Sequence, residues 1–324
     1  MGFKEKPLYP LCLEKEARMK IAIMGTGGVG GYYGGLLAQK SHDITFIARG
    51  EHLKAIQENG LQAKSIHGDF HVKPAQATDD PAQIGPVDLV VFCTKTYSID
   101  KAAEQIKPLV ASDTTVLPLQ NGIDAAERIG KVVGMQHILG GATWISSKVE
   151  APGMIKQISQ FRRVVLGELY GQVTARARAI HKAFEETGIT AELSENILKI
   201  LWTKFVFISM ASGLGSLTRL TIGQYRSVPE TRAMMTSLML EVEAVARAQG
   251  VDLDSDVVQK SLDFVDNAAP HIKPSMQLDV EAGRKSEIEA MIGVVGHKGR
   301  ELGIPTPVAD MVYASLLPGE IAAQ

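Results

Sequence analysis

Cysteine is scarce. Cys12 and Cys93 are the only two in 324 residues, too few for a disulfide framework. A reducing compartment is the natural setting, and the cytoplasm is the expected location. Cys93 sits in an apolar run and reads as an ordinary core thiol. Excess charge of either sign is also missing. The 34 Lys and Arg against 36 Asp and Glu leave a net charge of −2, so no basic field draws nucleic acid. No uninterrupted apolar run approaches the roughly 20 residues of a membrane-spanning helix. Neither a nucleic-acid nor a membrane partner is expected. Among the eight histidines the H-x-x-x-H spacing of His67 and His71 spans the hairpin turn expected around Gly68 rather than one face of a helix, so a metal enzyme is not expected. Repeats and low-complexity tracts are absent as well. What the chain does have is apolar material, 45% of its residues. Its length suits two domains of roughly 100–200 residues each.

Residues 1–18 differ from the rest of the chain. Lys4, Lys6, Glu14, Lys15, Glu16 and Arg18, with Pro7 and Pro10 between them, lack the apolar core of a signal peptide. They are expected to form an extension, disordered or a mis-assigned start, with the fold opening at Met19. Lys20–Met24 then reads as a buried strand. Gly28–Gln39 reads as a helix, Asp43–Ile47 as a strand and Glu51–Asn59 as a helix. A hairpin is expected over Leu61–Val72 around His67-Gly68-Asp69. Further strands are expected at Val87–Cys93, Thr114–Leu117 and His137–Ile145, with a helix over Ser98–Leu109. This alternation predicts an α/β fold: a Rossmann-type doubly wound sheet over 19–190. From Glu195 the periods are helical, at Glu195–Ala211, Glu230–Gln249, Asp254–Ala269 and Glu287–Leu302. An all-helical domain is therefore expected over 191–324, with Pro229 and Gly250 bounding its second helix.

The first motif lies where the first strand meets the first helix. Gly25-Thr26-Gly27-Gly28-Val29-Gly30 matches G-x-G-x-x-G in strand–turn–helix context. Gly25 suits the tight turn, Gly27 a close approach to a pyrophosphate, and Gly30 close helix–strand packing. The helix N-terminus would offer free N–H groups to the phosphates. These six residues are the expected dinucleotide-binding loop. An NAD enzyme places an acid at the end of the second strand. Here that end reads Ile47-Ala48-Arg49. A guanidinium there can grip a 2′-phosphate, which points to NADP(H); the alternative is a solvated loop charge. Lys95, after the strand Val87–Cys93, belongs at the same sheet edge. It is either a second cation for the cofactor or an ordinary surface lysine.

Lys204 is the only charged residue between Lys199 and Arg219, and Ile200, Leu201, Trp202, Phe205, Val206, Phe207 and Ile208 surround it. Such a lysine is either poised for proton transfer by a lowered pKa or a snorkelling side chain. The residues alone leave both open. Ser286-Glu287-Ile288-Glu289 is, by itself, the start of an amphipathic helix, and Asn121-Gly122 a stock turn.

Taken together, Ile23-Met-Gly-Thr-Gly-Gly-Val-Gly30, Ile47-Ala-Arg49, Cys93-Thr-Lys95, Leu119-Gln-Asn-Gly122, Leu201-Trp-Thr-Lys204-Phe, Ser275-Met276 and Ser286-Glu287-Ile288 resemble the ketopantoate reductase (2-dehydropantoate 2-reductase) family of the 6-phosphogluconate dehydrogenase-like superfamily. The resemblance runs over nearly the whole chain from Met19. It implies hydride transfer from NADPH to the carbonyl of a 2-oxo acid, with ketopantoate to pantoate in pantothenate biosynthesis as the leading case. It implies Lys204 as the catalytic lysine and Glu287 as the acceptor of a substrate hydroxyl, within reach of Lys204. Ser275 would bind the substrate carboxylate, and Asn121 would lie between nicotinamide and substrate. Partners beyond the substrate are not expected, save a possible homodimer.

The chain departs from the family in one region. Asparagines that contact substrate in the family are replaced by Ile208 and Ser212, one and two turns after Lys204. Another is Ile272, beside Lys273, which could bind a carboxylate instead. A paralogous reductase for another 2-oxo acid or carbonyl is thus a second reading. A non-enzymatic NADP(H)-binding sensor is a third, opposed by the joint presence of Lys204, Glu287 and Asn121.

Overall fold

The computed structural model describes residues 18–40 and 42–323. The extension expected over 1–18 therefore lies, apart from Arg18, outside the described residues, as does Cys12. Strand and helix alternate first as β1 (Lys20–Met24), α1 (Gly28–Ala38), β2 (Asp43–Ile47) and α2 (Gly50–Asn59). Then come β3 (Leu61–Ser65), β4 (Phe70–Val72), β5 (Gln76–Thr78), β6 (Leu89–Phe92), α3 (Ile99–Gln105), β7 (Thr115–Pro118) and α4 (Ala125–Val133). Five strands form a parallel sheet in the order β5-β2-β1-β6-β7. The four residues of β6 are all buried, as are the last four of β1. Neither strand offers a polar face, as a parallel sheet covered on both sides requires. The chain leaves β1 on one side and returns on the other with β6. Between them lies a switch point, where the strands' carboxyl ends open a crevice for a nucleotide.

A second sheet was not expected. β8 (Gly140–Ala151) and β9 (Met154–Gly167) form a long antiparallel hairpin, turning at Pro152-Gly153 with Gly153 at φ 73°. The chain continues through α5 (Ala175–Glu185) to β10 (Thr190–Leu193). β9 pairs in parallel with both β3 and β10, and β3 pairs antiparallel with β4 as the hairpin around Gly68. The strand expected at His137–Ile145 thus belongs to this second sheet. It touches the first through a single bridge, Ile138 to Val116. Helix α1 lies between the sheets, and its glycines set the spacing. A Cβ on Gly34 would stand 2.7 Å from Ile23 of the first sheet. On Gly31 and Gly35 it would stand 2.7 Å from Ile155 and 2.5 Å from Phe70 of the second. Gly30 and Gly34 on one side, and Gly31 and Gly35 on the other, are pairs four residues apart that give one helix two flat faces.

From Ile197 the chain is helical: α6 (Ile197–Thr218), α7 (Ile222–Tyr225), α8 (Pro229–Ala248), α9 (Val257–Asn267), α10 (Ser275–Glu281), α11 (Val294–Leu302) and α12 (Pro307–Ala322). Helix α6 is 22 residues long, with a mean hydropathy of 1.5 over its most apolar stretch. By length and composition it would suffice to span a membrane, although Lys199 and Lys204 interrupt its apolar run. Here that apolar character fills a core with α8, α11 and α12, where Phe205, Met210, Leu214, Leu238, Val242 and Val295 are buried. Helix α6 also outruns its expected end at Ala211. Gly213 and Gly215 serve as close-approach points for Ile292 and Gln277 rather than as breaks. The helix expected over Glu287–Leu302 starts at Ile288 and opens with a π turn, Glu289–Gly293. Ser209 on α6 donates to the carbonyl of Met291 in that turn at 2.7 Å.

Candidate active site

The loops after β1, β2, β6 and β7 all emerge at the carboxyl edge of the parallel sheet. Between the first three and α3 lies a cleft of about 260 Å³, lined among others by Gly25, Thr26, Arg49, His52, Thr94 and Lys101. Gly25 has φ +94° and makes the tight turn. Thr26 is buried, and its N–H and hydroxyl both donate to the carbonyl of Ile47, at 3.1 and 3.0 Å. That ties the glycine loop to the end of β2. A Cβ on Gly27, the N-cap of α1, would meet nothing within 4 Å, so the backbone there faces open space as a phosphate cradle does. Gly30 does the packing expected of it: a Cβ would stand 2.2 Å from the Gly25 carbonyl oxygen. Gly28 has a different reason. A Cβ there would stand 2.3 Å from the carbonyl oxygen of Ser147, so glycine is what lets the β8–β9 hairpin pass. Val29 packs on the core. His52 braces the loop: its Nε2 lies 2.8 Å from the Thr26 carbonyl oxygen, and its Nδ1 accepts from Gly153 N–H at 3.0 Å. Those partners assign the Nε2–H tautomer. Burial lowers the His52 pKa, which favours that neutral form.

Arg49 is exposed at the cleft, with Nη2 donating to Gln105 at 2.7 Å. The nearest acid in sequence, Glu51, turns away to Lys54 at 2.9 Å. Lys101, on α3, lines the same cleft and was not singled out from the sequence. Further along the edge, Thr94 Oγ1 and both amide atoms of Gln120 are buried without a hydrogen-bond partner in the fold. Buried polar atoms rarely stay unpaired. With the open Gly27 cradle and two cations at the mouth, they fit a dinucleotide lying along this edge.

Lys204 comes from α6, whose N-terminus is capped by Asn196 accepting from Lys199 N–H at 3.1 Å. Its amine reaches across to the sheet. Nζ donates to Asn121 Oδ1 at 2.8 Å and to the carbonyl of Thr143 at 2.7 Å, and lies 5.3 Å from the centre of the Trp144 ring. Burial of the amine lowers its pKa from 10.5 to about 8, against a smaller opposing pull from the Glu287 carboxylate. An ammonium has three donors. Two are held by the protein, and one remains. Thr143 and Trp144 lie within the strand expected at His137–Ile145, but its pairing in a second sheet was not foreseen, and neither was the contact of these two residues with Lys204.

Glu287 is buried, but its direct partner is not Lys204. Its Oε1 accepts from Thr96 N–H at 3.0 Å, and its Oε2 lies 3.4 Å from Lys95 Nζ. Lys95 also pairs with Asp279 at 2.8 Å. Burial opposes the Lys95 charge, yet Glu287 and Asp279 together outweigh it and raise its pKa. Lys95 thus turns toward the helices and bridges to them, rather than standing free for a cofactor phosphate. Lys273 is likewise engaged, at 2.7 and 2.8 Å from the two oxygens of Glu281. A substrate carboxylate would have to displace that acid. Ser275 opens α10 and is exposed. Ser212 is buried on α6, and Ile208 is half-buried against the helical core.

Proteins of known family and known structure resemble this chain over most of its length. A family profile described as Ketopantoate reductase PanE/ApbA matches residues 21–171. A second, described as Ketopantoate reductase PanE/ApbA C terminal, matches residues 196–319. A 2-dehydropantoate 2-reductase from Nostoc sp. is 31% identical over 302 residues, 92% of this chain and 94% of that one. The crystal structure of a PanE/ApbA family ketopantoate reductase from Ralstonia eutropha is similar with a TM-score of 0.87 at 31% identity, covering 94% of this chain and all of that one. The ternary structure of a D-mandelate dehydrogenase with NADH and anilino(oxo)acetate is similar with a TM-score of 0.86 at 27% identity, covering 94% and 99%.

Proposed function

This chain belongs to the ketopantoate reductase family, and from that premise we propose that it reduces a 2-oxo acid to the 2-hydroxy acid with NADPH. Ketopantoate to pantoate, in the synthesis of pantothenate, is the first substrate to test. The observation that carries the reading is the Lys204 amine, desolvated, held by Asn121 and the Thr143 carbonyl, and left with one donor to spare. The bound nicotinamide supplies a hydride to the keto carbon. Lys204 stabilises the carbonyl oxygen as it becomes an alkoxide, then gives it the proton from Nζ. The amine left behind keeps both of its protein hydrogen bonds, since a neutral amine still has two N–H groups. Gly25–Gly30 carry the pyrophosphate and Arg49 the 2′-phosphate, with Lys101 beside it. Glu287 takes a substrate hydroxyl, and Asn121 separates nicotinamide from substrate. We set the boundary between the nucleotide-binding and helical domains near residue 190.

A specific observation favours a second substrate. Ile208 lies one turn from Lys204, and an isoleucine offers a hydroxylated substrate no partner. The structural likeness to a D-mandelate dehydrogenase points the same way, toward a 2-oxo acid with a more apolar tail. The test is to follow NADPH and NADH absorbance with purified protein against ketopantoate, 3,3-dimethyl-2-oxobutanoate and phenylglyoxylate. Oxidation of NADPH by at least one of these is expected. No turnover of any 2-oxo acid with either cofactor would refute the reading.

A further inference from the structure

Glu287 sits in a short non-helical stretch between α10 and Ile288. Ser286 and Glu287 are both buried, at 3% and 6% exposure, so the backbone here needs partners that water cannot supply. The partner comes from the far end of the chain. Glu320, in the last turns of α12, receives the Ser286 N–H on both carboxylate oxygens, at 3.1 and 2.9 Å, and the Ser286 hydroxyl at 2.6 Å. Glu320 is itself buried, at 9% exposure. Among the described residues no Lys, Arg or His forms an ion pair with it. A buried carboxylate with no cation is costly, and here it spends its bonds on the residue next to Glu287. Short bonds of this charge-assisted kind fix geometry as well as energy.

We propose that Glu320 is a positioning residue, which fixes Glu287 for the substrate hydroxyl by clamping Ser286. This rests on the reading of Glu287 given above. Glutamine in place of Glu320 keeps the volume and one acceptor oxygen, but removes the charge and turns an N–H₂ group toward the Ser286 N–H in place of the other oxygen, so it loosens the clamp. The test uses two substrates that differ by one hydroxyl, ketopantoate and 3,3-dimethyl-2-oxobutanoate. Glu320→Gln should raise KM for ketopantoate at least about fivefold, a modest loss for a hydrogen bond to a charged group. KM for the dimethyl analogue and the Kd for NADPH should stay within about twofold. In a Glu287→Gln background, Glu320→Gln should add nothing, because both changes act on one contact. Ser286→Ala should show the same selectivity in weaker form, and keeps the test alive if Glu320→Gln fails to fold. Equal losses on both substrates, or effects that multiply in the double variant, would make Glu320 merely structural and overturn the proposal. If Glu287→Gln raises the ketopantoate KM while Glu320→Gln and Ser286→Ala do not, this proposal alone falls. If Glu287→Gln itself leaves that KM unchanged, the reading of Glu287 falls and the proposal with it.

Discussion

At Lys204 the proposed chemistry follows from a count of donors and a desolvated charge. Lys204→Ala should lose at least about 100-fold in turnover, the low end of acid–base contributions. NADPH binding should hardly change, because the cleft is lined from the other half of the chain. Near-normal turnover in the variant would remove Lys204 from the mechanism. The pH dependence has a definite sign. In the proposed mechanism reduction needs the ammonium, whose pKa is lowered to about 8. The value of kcat/KM for reduction should therefore hold below about pH 8 and fall above it, while oxidation of the hydroxy acid should rise through the same range. Glu287 pulls that pKa upward, so Glu287→Gln should bring the fall to lower pH. A profile flat to pH 10 would contradict the assignment. The proposed grip of Arg49 on a 2′-phosphate is tested through cofactor choice. Arg49→Ala should weaken NADPH binding roughly 10-fold or more, as loss of charge-assisted bonds does, and leave NADH binding almost unchanged. Equal affinity of the unmodified protein for both cofactors would sink that claim.

Among the elements, α6 presents the clearest test. Lys204, Ile208 and Ser212 follow at four-residue steps and share a stripe. Ile208→Asn, with Ser212→Asn if needed, should raise kcat/KM for ketopantoate relative to 3,3-dimethyl-2-oxobutanoate. High ketopantoate efficiency before any substitution would mean that another group already serves the hydroxyl. Helix α6 also shows what sequence can and cannot disclose. Its isolated lysine was legible, because one charge in an apolar stretch stands out. So was the glycine loop, whose spacing between a strand and a helix is fixed by backbone geometry. The β8–β9 hairpin was only half legible. Its outer end carries Lys148 and Glu150 on β8 and Lys156 on β9, which blur the apolar alternation, although Pro152-Gly153 was a turn signal open to reading. The partners of Lys204 on that hairpin lie on the half that was read as a strand, but one of them is a main-chain carbonyl that no side chain announces. The π turn at Glu289–Gly293 was not legible either, because a one-residue change of helical pitch leaves little trace in hydrophobic period. Lys95 and Lys273 were each recognised as cations. What the sequence withheld was their partners, Asp279, Glu287 and Glu281, which are brought to them only by the packing of helices.

The molecule as a whole is joined at its site by polar bonds. Lys204 reaches Asn121 and Thr143, Glu287 reaches Thr96, and Lys95 reaches Asp279 and Glu287. Lys95 is therefore a bridge between the two halves of the chain, and its removal tests that role. Asp279 would keep a partner in Arg284, at 2.8 Å. Glu287 would keep only the Thr96 N–H, with its carboxylate 7% exposed. Breaking a pair by removing one partner is costly mainly because the other stays buried and charged. Lys95 itself is 41% exposed, so solvent screening reduces the loss from the buried-pair range to about 1–2 kcal/mol. For a chain of this size that corresponds to a fall in Tm of roughly 2–8 °C. Lys95→Met should show it in thermal denaturation. Glu287→Gln should restore most of it in the double variant, because the orphaned charge is then gone, although activity on ketopantoate should not return. An unchanged Tm in Lys95→Met, or a double variant less stable than Lys95→Met alone, would mean that this bridge does not hold the two halves together.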